Sequence, residues 1–226
     1  MNDAAMNDFE FVDPDDAAAL GVYLERLLAL DKTAAVRFVG IGRVAAAYSA
    51  PPLHGSASRG VTVLAVRTVA LAGDARSFDR TVAAGRLLDA ISTSPDGSAN
   101  GAASFTLPDS LLGGPSWAGL LPPRTGWQPL GEIPLRRLAE VVSQGNADFR
   151  FNALGRDRAA LDTLAEEIWT RELPHGLRWR AAHGAATMGF LGPQPERSAD
   201  SARVASHARW LRLDTPYGTV LERVLA

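Results

Sequence analysis

Two glycines after a β-branched run form the pattern that comes nearest to a cofactor site. Gly40 and Gly42 follow the apolar stretch 34–39, and glycines between a strand and a helix let a pyrophosphate approach the helix N-terminus. Arg67 follows a later strand-like run, where it could hold a 2′-phosphate. Pro51 follows so soon that about two helical turns would fit, fewer than such a unit normally carries. The pattern therefore favours a β-hairpin turn, with a site for NADP(H) or another phosphorylated ligand as the alternative.

Other catalytic chemistry lacks the residues that it needs. The chain has no cysteine, which excludes a thiol nucleophile, a thiolate metal site and disulfide bonds. Ser116 lies in a Gly-Pro-Ser-Trp-Ala segment, but its flanks are not the strand and helix of a nucleophile elbow. No ligand spacing links the four histidines, His54, His175, His183 and His207. We therefore predict no metal and no cofactor, and whether the chain is an enzyme stays open.

A long irregular segment carries the side chains best suited to binding. Residues 117–127 begin and end with tryptophan and contain Arg124 among rigid prolines, and long loops of this kind are often functional. We predict a ligand or partner surface formed by Trp117, Arg124, Trp127, Arg180 and His183. The alternative is that both tryptophans are core residues, since tryptophan is mostly buried.

The densest mixture of arginine and aromatic residues lies between residues 169 and 180. Such a mixture could hold phosphates and stack on bases. Glu166, Glu167 and Glu172 in and just before this stretch offset the charge, and the whole chain has a net charge of -2. We therefore predict that the protein binds no nucleic acid.

Composition indicates a protein of the bacterial cytoplasm. The chain has 226 residues, of which 46% are hydrophobic and 21% charged, values typical of globular domains. Its acidic N-terminus lacks the pattern of an export signal, and Arg67 interrupts the longest apolar run, 61–72. We predict a cytoplasmic protein without a membrane partner. Lys32 is the only lysine among many arginines and alanines, which favours a GC-rich bacterial genome.

The sequence pattern predicts a helix, three strands and a second helix in the first half of the chain. Asp13 and Pro14 are typical of a helix start, and apolar spacing continues that helix to about Lys32. β-branched stretches within 34–72 predict three antiparallel strands. A further helix is predicted after Phe78 and Asp79, before a polar connection at 92–104. We place a domain boundary there, which gives domains 1–104 and 105–226, with one continuous domain as the alternative.

The second half reads as mainly helical. After a proline-rich opening, helices are predicted to begin near Pro134, Asp157 and Gly176. Turn residues at 215–218 predict a closing β-hairpin. The predicted fold class is α+β: a small antiparallel sheet with an N-terminal helix, a helical second half and a C-terminal β-hairpin.

Several segments resemble uncharacterised proteins from actinobacteria, a resemblance that covers most of the chain and implies no activity. These segments are SWAGLLPPRTGWQPLGEIP, EEIWTREL, GFLG and WLRLDTPYGTVLER. Because no reaction can be assigned, we favour a non-enzymatic interaction protein that binds a protein partner or forms a homodimer. The alternatives are an enzyme that uses the Gly40–Gly42 turn and a structural subunit of a larger assembly.

Overall fold

A computed structural model of the chain describes residues 8–53, 62–73, 77–93 and 104–223. His54 and most of the connection predicted as the domain boundary lie outside these ranges. The chain divides into two compact units. Unit 1 comprises Met1–Ser49 and Val66–Leu120, and unit 2 comprises Ala50–Ala65 and Leu121–Ala226.

Unit 1 is built from short strands and two helices. Its helices are α1 (Pro14–Leu30) and α2 (Ala84–Ser92). Its strands are β1 (Asp8–Glu10), β2 (Ala35–Ile41), β3 (Val44–Ser49), β4 (Thr62–Ala70, whose first four residues belong to unit 2), β5 (Phe78–Ala83) and β6 (Ser104–Thr106). The sheet order is β5-β2-β3-β4, while β1 and β6 form a separate antiparallel pair.

Phenylalanine rings form much of the core of unit 1. Phe38 is fully buried, and its ring centroid lies 5.3 Å from that of Phe78 and 6.1 Å from that of Phe105. Phe9 of β1 contacts the Phe78 ring at a tilt, and Phe11, just after β1, stacks on Phe105. The alternation of buried and exposed residues in β2 and β3 places one face of the sheet against these rings.

Unit 2 combines an antiparallel sheet with three α-helices. Its sheet order is β4-β10-β9-β8-β7. The strands are β7 (Gln128–Pro134), β8 (Ser201–His207), β9 (Trp210–Thr215) and β10 (Gly218–Arg223), and the helices are α3 (Leu135–Asn152), α4 (Arg158–Trp169) and α5 (Trp179–Thr187).

Small residues allow the helices of unit 2 to pack closely. A methyl group added at Gly145 of α3 would lie 2.7 Å from the Trp169 ring of α4. One added at Gly184 of α5 would lie 3.3 Å from Leu53 and 3.4 Å from Val63. Glycine at these two positions therefore sets the short separation between the layers.

The predicted fold class is confirmed: the chain is α+β, with antiparallel sheets and a C-terminal β-hairpin formed by β9 and β10. Asp13 caps α1 and Asp157 caps α4, as the sequence indicates. Several details differ from prediction, among them strand β7, which was not predicted. The segment after Phe78 is a strand before it becomes α2, and Ala208, with φ 51°, splits the last predicted region into β8 and β9. No helix in the described ranges is long and apolar enough to cross a membrane.

Candidate functional site

The glycine motif forms a hairpin turn. β2 pairs with β3 in antiparallel register up to Ile41 and Val44, and Gly42 adopts φ 63° in the turn between them. A strand, and no helix, therefore follows Gly42. A methyl group added at Gly40 would lie 2.1 Å from the Phe78 ring, so this glycine makes room for core packing. Arg67 lies in β4. The nucleotide alternative thus lacks the helix N-terminus that would receive a phosphate.

The segment predicted as a binding loop is divided between the two units. Trp117 lies in a 3-10 turn, Ser116–Gly119, of unit 1. Arg37 of β2 holds that turn, because its Nη1 donates a hydrogen bond to the carbonyl of Ala118. Arg124 and Trp127 belong to unit 2. The loop is therefore two short pieces with different surroundings.

Trp127 stands in a half-buried cluster on the sheet of unit 2. Its Nε1 donates to the carbonyl of Pro123 over 2.9 Å. The guanidinium of Arg212 lies 5.6 Å from the ring centroid, and the His207 ring meets it edge-on at 6.0 Å. Arg124 is exposed nearby in sequence. A cation over an indole face is a stable arrangement in its own right.

Arg180 and His183 lie on α5, in a different cluster of buried charges. Arg180 is 2% exposed, and its Nη2 donates to Glu166 Oε1 over 2.9 Å. His183 stacks on Trp169, with 3.9 Å between ring centroids. Glu222 is fully buried and accepts a hydrogen bond from the backbone N–H of Arg178. The five predicted site residues are thus spread over three places.

Burial determines the electrostatics of this cluster. It raises the pKa of Glu222 above its ordinary value, while the Arg178 backbone N–H and the charges of Arg180 and Arg178 act in the opposite direction. Arg178 Nε lies 3.7 Å from Glu222 Oε1. Buried ion pairs of this kind hold a core in one arrangement, because removing one partner leaves an uncompensated charge.

Helix α3 carries a polar and cationic row that was not predicted from the sequence. Arg136, Ser143 and Arg150 follow each other at intervals of seven residues and are exposed, so they share one face of the helix. Asn146 lies on the same face between Ser143 and Arg150. We call these four residues the α3 row. Its spacing is visible in the sequence, but an ordinary solvated helix face has the same appearance.

A groove runs beside the α3 row. It has a volume of about 360 Å³. Its lining residues are Ala139, Val142, Ser143, Asn146 and Arg150 of α3 and Ala186, Gly189, Leu191, Gly192 and Pro195. Within the described ranges, Arg136 and Arg150 make no ion pair, whereas the neighbouring Arg137 pairs with Glu140. The row therefore offers two uncompensated guanidinium groups and two neutral hydrogen-bonding side chains. That donor set suits an oxyanion such as a phosphate.

Solved structures with a similar fold are bacterial DNA polymerase sliding clamps. The beta chain of DNA polymerase III from Streptococcus pneumoniae matches 97% of this chain and 65% of its own, with a TM-score of 0.51 at 9% identity. The sliding clamp from Caulobacter crescentus matches 96% of this chain and 65% of its own, with a TM-score of 0.50 at 12% identity. This chain thus spans about 65% of their length. At such low identity the likeness establishes the fold.

This likeness corrects two predictions. The sequence favoured a non-enzymatic interaction protein, with a nucleotide-using enzyme or a structural subunit as alternatives, and it excluded nucleic acid as a partner. The chain instead has the fold of proteins that are described as DNA polymerase sliding clamps, so both predictions are wrong. A net charge of -2 for the whole chain gave no sign of a polyanionic partner.

Domain families of unknown function match both parts of the chain. Residues 5–110 match the domain of unknown function DUF8010, and residues 122–226 match the domain of unknown function DUF8185. No curated protein matches the chain. Two domain families of unknown function thus match the chain, which confirms its predicted resemblance to uncharacterised proteins.

Proposed function

We propose that the protein is a clamp-like protein that associates with DNA without reading its base sequence, and that α3 of unit 2 makes the contact. The observation that carries this proposal is the α3 row beside its groove, where Arg136 and Arg150 are exposed and make no ion pair within the described ranges. The shared fold supports it, because the solved structures of that fold are DNA polymerase sliding clamps. From those proteins we extend to this chain only the association with DNA.

The two units carry opposite charge. Unit 1 has 8 basic and 13 acidic residues, a net charge of -5, whereas unit 2 has 15 basic and 12 acidic residues, a net charge of +3. Since DNA is a dense polyanion, unit 2 is attracted to it and unit 1 is repelled. Helix α1 illustrates the contrast, because its first turn carries Asp15 and Asp16.

The length of the α3 row suits a DNA backbone. Arg136 and Arg150 are fourteen residues apart, which corresponds to about 21 Å along a helix. Duplex DNA carries about one charge for each 1.7 Å of its axis, so several phosphates lie within that distance. Each guanidinium can bind a phosphate through two parallel hydrogen bonds, while the side chains of Ser143 and Asn146 donate to the same backbone.

The expected contact is weak and depends on salt. Few arginines take part, and without base contacts the affinity falls in the range typical of non-specific binding, about 10⁻⁴ to 10⁻⁶ M at physiological salt. We place this association in the bacterial cytoplasm, in agreement with the composition of the chain. Domains 1–104 and 105–226, the division proposed from the sequence, would then be two parts of one clamp-like chain, with net charges of -3 (9 basic and 12 acidic residues) and +1 (14 basic and 13 acidic residues).

Fluorescence anisotropy with a labelled duplex of random sequence tests this proposal. We expect the full chain to bind, with a slope of log K against log salt on the order of -3 if three or four phosphates are neutralised. The variant Arg136→Gln/Arg150→Gln should reduce the magnitude of that slope by about 2 and weaken binding at low salt. The matched control is Arg26→Gln/Arg86→Gln, which removes two exposed arginines from the helices of unit 1 and should leave binding unchanged.

Two results would contradict the proposal. One is a full chain that does not bind duplex DNA at low salt. The other is an equal loss of affinity in both double variants, which would mean that the attraction depends on total charge and not on α3. Circular dichroism of each variant establishes that the fold is intact.

A further inference from the structure

The connection between α3 and α4 exposes two large apolar side chains. Phe151 is 85% exposed and Leu154 is 95% exposed. They lie where α3 ends and the chain turns, at Gly155 with φ 74°, into α4. We call residues 150–158 the α3–α4 corner. Single exposed apolar residues are common, but two such large ones at one turn indicate contact with something outside the chain.

Arginines surround these two side chains and are held in place. Arg150 Nε donates to the carbonyl of Asn146 over 3.2 Å, and Arg156 Nε donates to the carbonyl of Asn152 over 2.7 Å. The bond to Asn152 satisfies a carbonyl at the C-terminal end of α3. Both bonds fix a guanidinium while its terminal nitrogens stay available for a ligand. Within the described ranges, neither arginine makes an ion pair, so the corner presents preorganised positive charge beside an apolar tip.

Resting on the proposed association with DNA, we infer that the α3–α4 corner is a wedge that enters the minor groove of duplex DNA. Phe151 and Leu154 would insert at a base step and partly unstack it, while Arg150 and Arg156 would bind the flanking phosphates. Proteins that bend DNA use apolar side chains of this kind, flanked by cationic residues. Arg150 belongs both to the corner and to the α3 row, so the wedge continues the proposed backbone contact.

The class of ligand that binds the α3–α4 corner follows from the positive charge around the apolar tip and from the small size of that tip. The ligand must be anionic to complement Arg150 and Arg156. An anionic membrane would satisfy that condition, but helices that lie in a membrane interface bury a broad apolar face. Here only two large apolar side chains protrude, Phe151 and Leu154. A base step accommodates a tip of that size, whereas a lipid surface would gain little from it.

Bending of a duplex labelled at its two ends with a fluorescent donor and acceptor tests the wedge in the full chain. We expect the wild-type protein to shorten the distance between the labels, and Phe151→Gln/Leu154→Gln to abolish the shortening and weaken binding about tenfold, since its apolar contacts are lost. The control Val22→Gln/Leu112→Gln replaces two exposed apolar residues of unit 1, which are 49% and 101% exposed. It should bend DNA as the wild type does.

The outcomes separate this inference from the proposed function. Binding of DNA by the wild type without bending, or with bending that Phe151→Gln/Leu154→Gln retains, overturns the wedge and leaves the association with DNA intact. No binding of DNA by the wild type overturns both. Binding to vesicles of phosphatidylserine and phosphatidylcholine that the wedge variant loses, without DNA bending, would show that the corner contacts lipid and would overturn the inference.

Discussion

Units 1 and 2 use the same strand arrangement and fill it with different chemistry. In each unit, three consecutive strands form an antiparallel meander, β2-β3-β4 or β8-β9-β10. The first strand of each meander also pairs with a strand that leads directly into a helix, β5 into α2 or β7 into α3. In unit 1 that outer strand follows the meander along the chain, and in unit 2 it precedes it. The two units thus form the same sheet pattern although their strands follow one another in a different order along the chain.

The cores of the two units differ most in polarity. Unit 1 buries phenylalanines and one neutral pair, in which Tyr23 Oη donates to Ser49 Oγ over 2.6 Å. Unit 2 buries the charged side chains of Arg180 on α5, Glu166 on α4 and Glu222 on β10. These buried charges therefore distinguish the core of unit 2, and the α3 row lies on the unit that has both the buried charges and the positive surplus.

The largest effect should come from breaking the buried ion pair of unit 2. We expect Arg180→Met to lower the free energy of unfolding by about 3–5 kcal/mol, because Glu166 and Glu222 lose their shared cation in a buried site. Urea denaturation followed by circular dichroism measures this. The double variant Glu166→Leu/Arg180→Met should recover part of the loss. A loss below about 1 kcal/mol in the single variant, typical of an exposed pair, would contradict the account.

The next effect should come from the close packing of unit 1. We expect Gly40→Ala to destabilise the protein by about 1–3 kcal/mol, since its methyl group would lie 2.1 Å from the Phe78 ring and must displace it. The control Gly85→Ala lies in α2, where an added methyl group meets nothing within 4 Å, and it should be neutral or stabilising. Equal denaturation midpoints for the two variants would show that Gly40 serves no packing role.

The neutral pair of unit 1 should cost less to break than the charged pair of unit 2. Tyr23→Phe removes the hydroxyl that bonds Ser49 and the carbonyl of Ala47, and we expect a loss of about 1–2 kcal/mol. A double-mutant cycle with Ser49→Ala isolates the pair. If Tyr23→Phe destabilised the protein as much as Arg180→Met, the contrast between the cores would be wrong.

The smallest effect concerns pH. Because burial raises the pKa of Glu222 in the folded state, the folded protein binds this proton more tightly than the unfolded chain does. Stability from this group is then present at low pH and decreases as pH rises from the unfolded value through the folded one. Glu222→Gln lacks that loss. We therefore expect the melting temperature of the variant, relative to that of the wild type, to increase as pH rises. A difference between the two proteins that is constant with pH would contradict the raised pKa.

Local signals were readable from the sequence, and long-range placement was not. Asp13 and Asp157 predicted helix starts because a cap acts on adjacent backbone groups. Strand β7 was missed because Pro129 and Pro134 argue against a strand, although an edge strand tolerates proline. The division of the Trp117–Trp127 loop between units depends on contacts far apart in the chain. The sequence shows only the seven-residue spacing of the α3 row. The groove beside it forms because the fold places residues 186–195 next to α3.

Hydrogen–deuterium exchange of the full chain with and without duplex DNA tests most directly whether unit 2 contacts DNA and unit 1 does not. We expect amide exchange to become slower on DNA binding along the second half of α3 and in residues 186–195, because the α3 row and its groove bind the backbone phosphates. Exchange in α1 should not change. Slower exchange in α1, or none in α3 at a DNA concentration that saturates binding, would contradict this expectation.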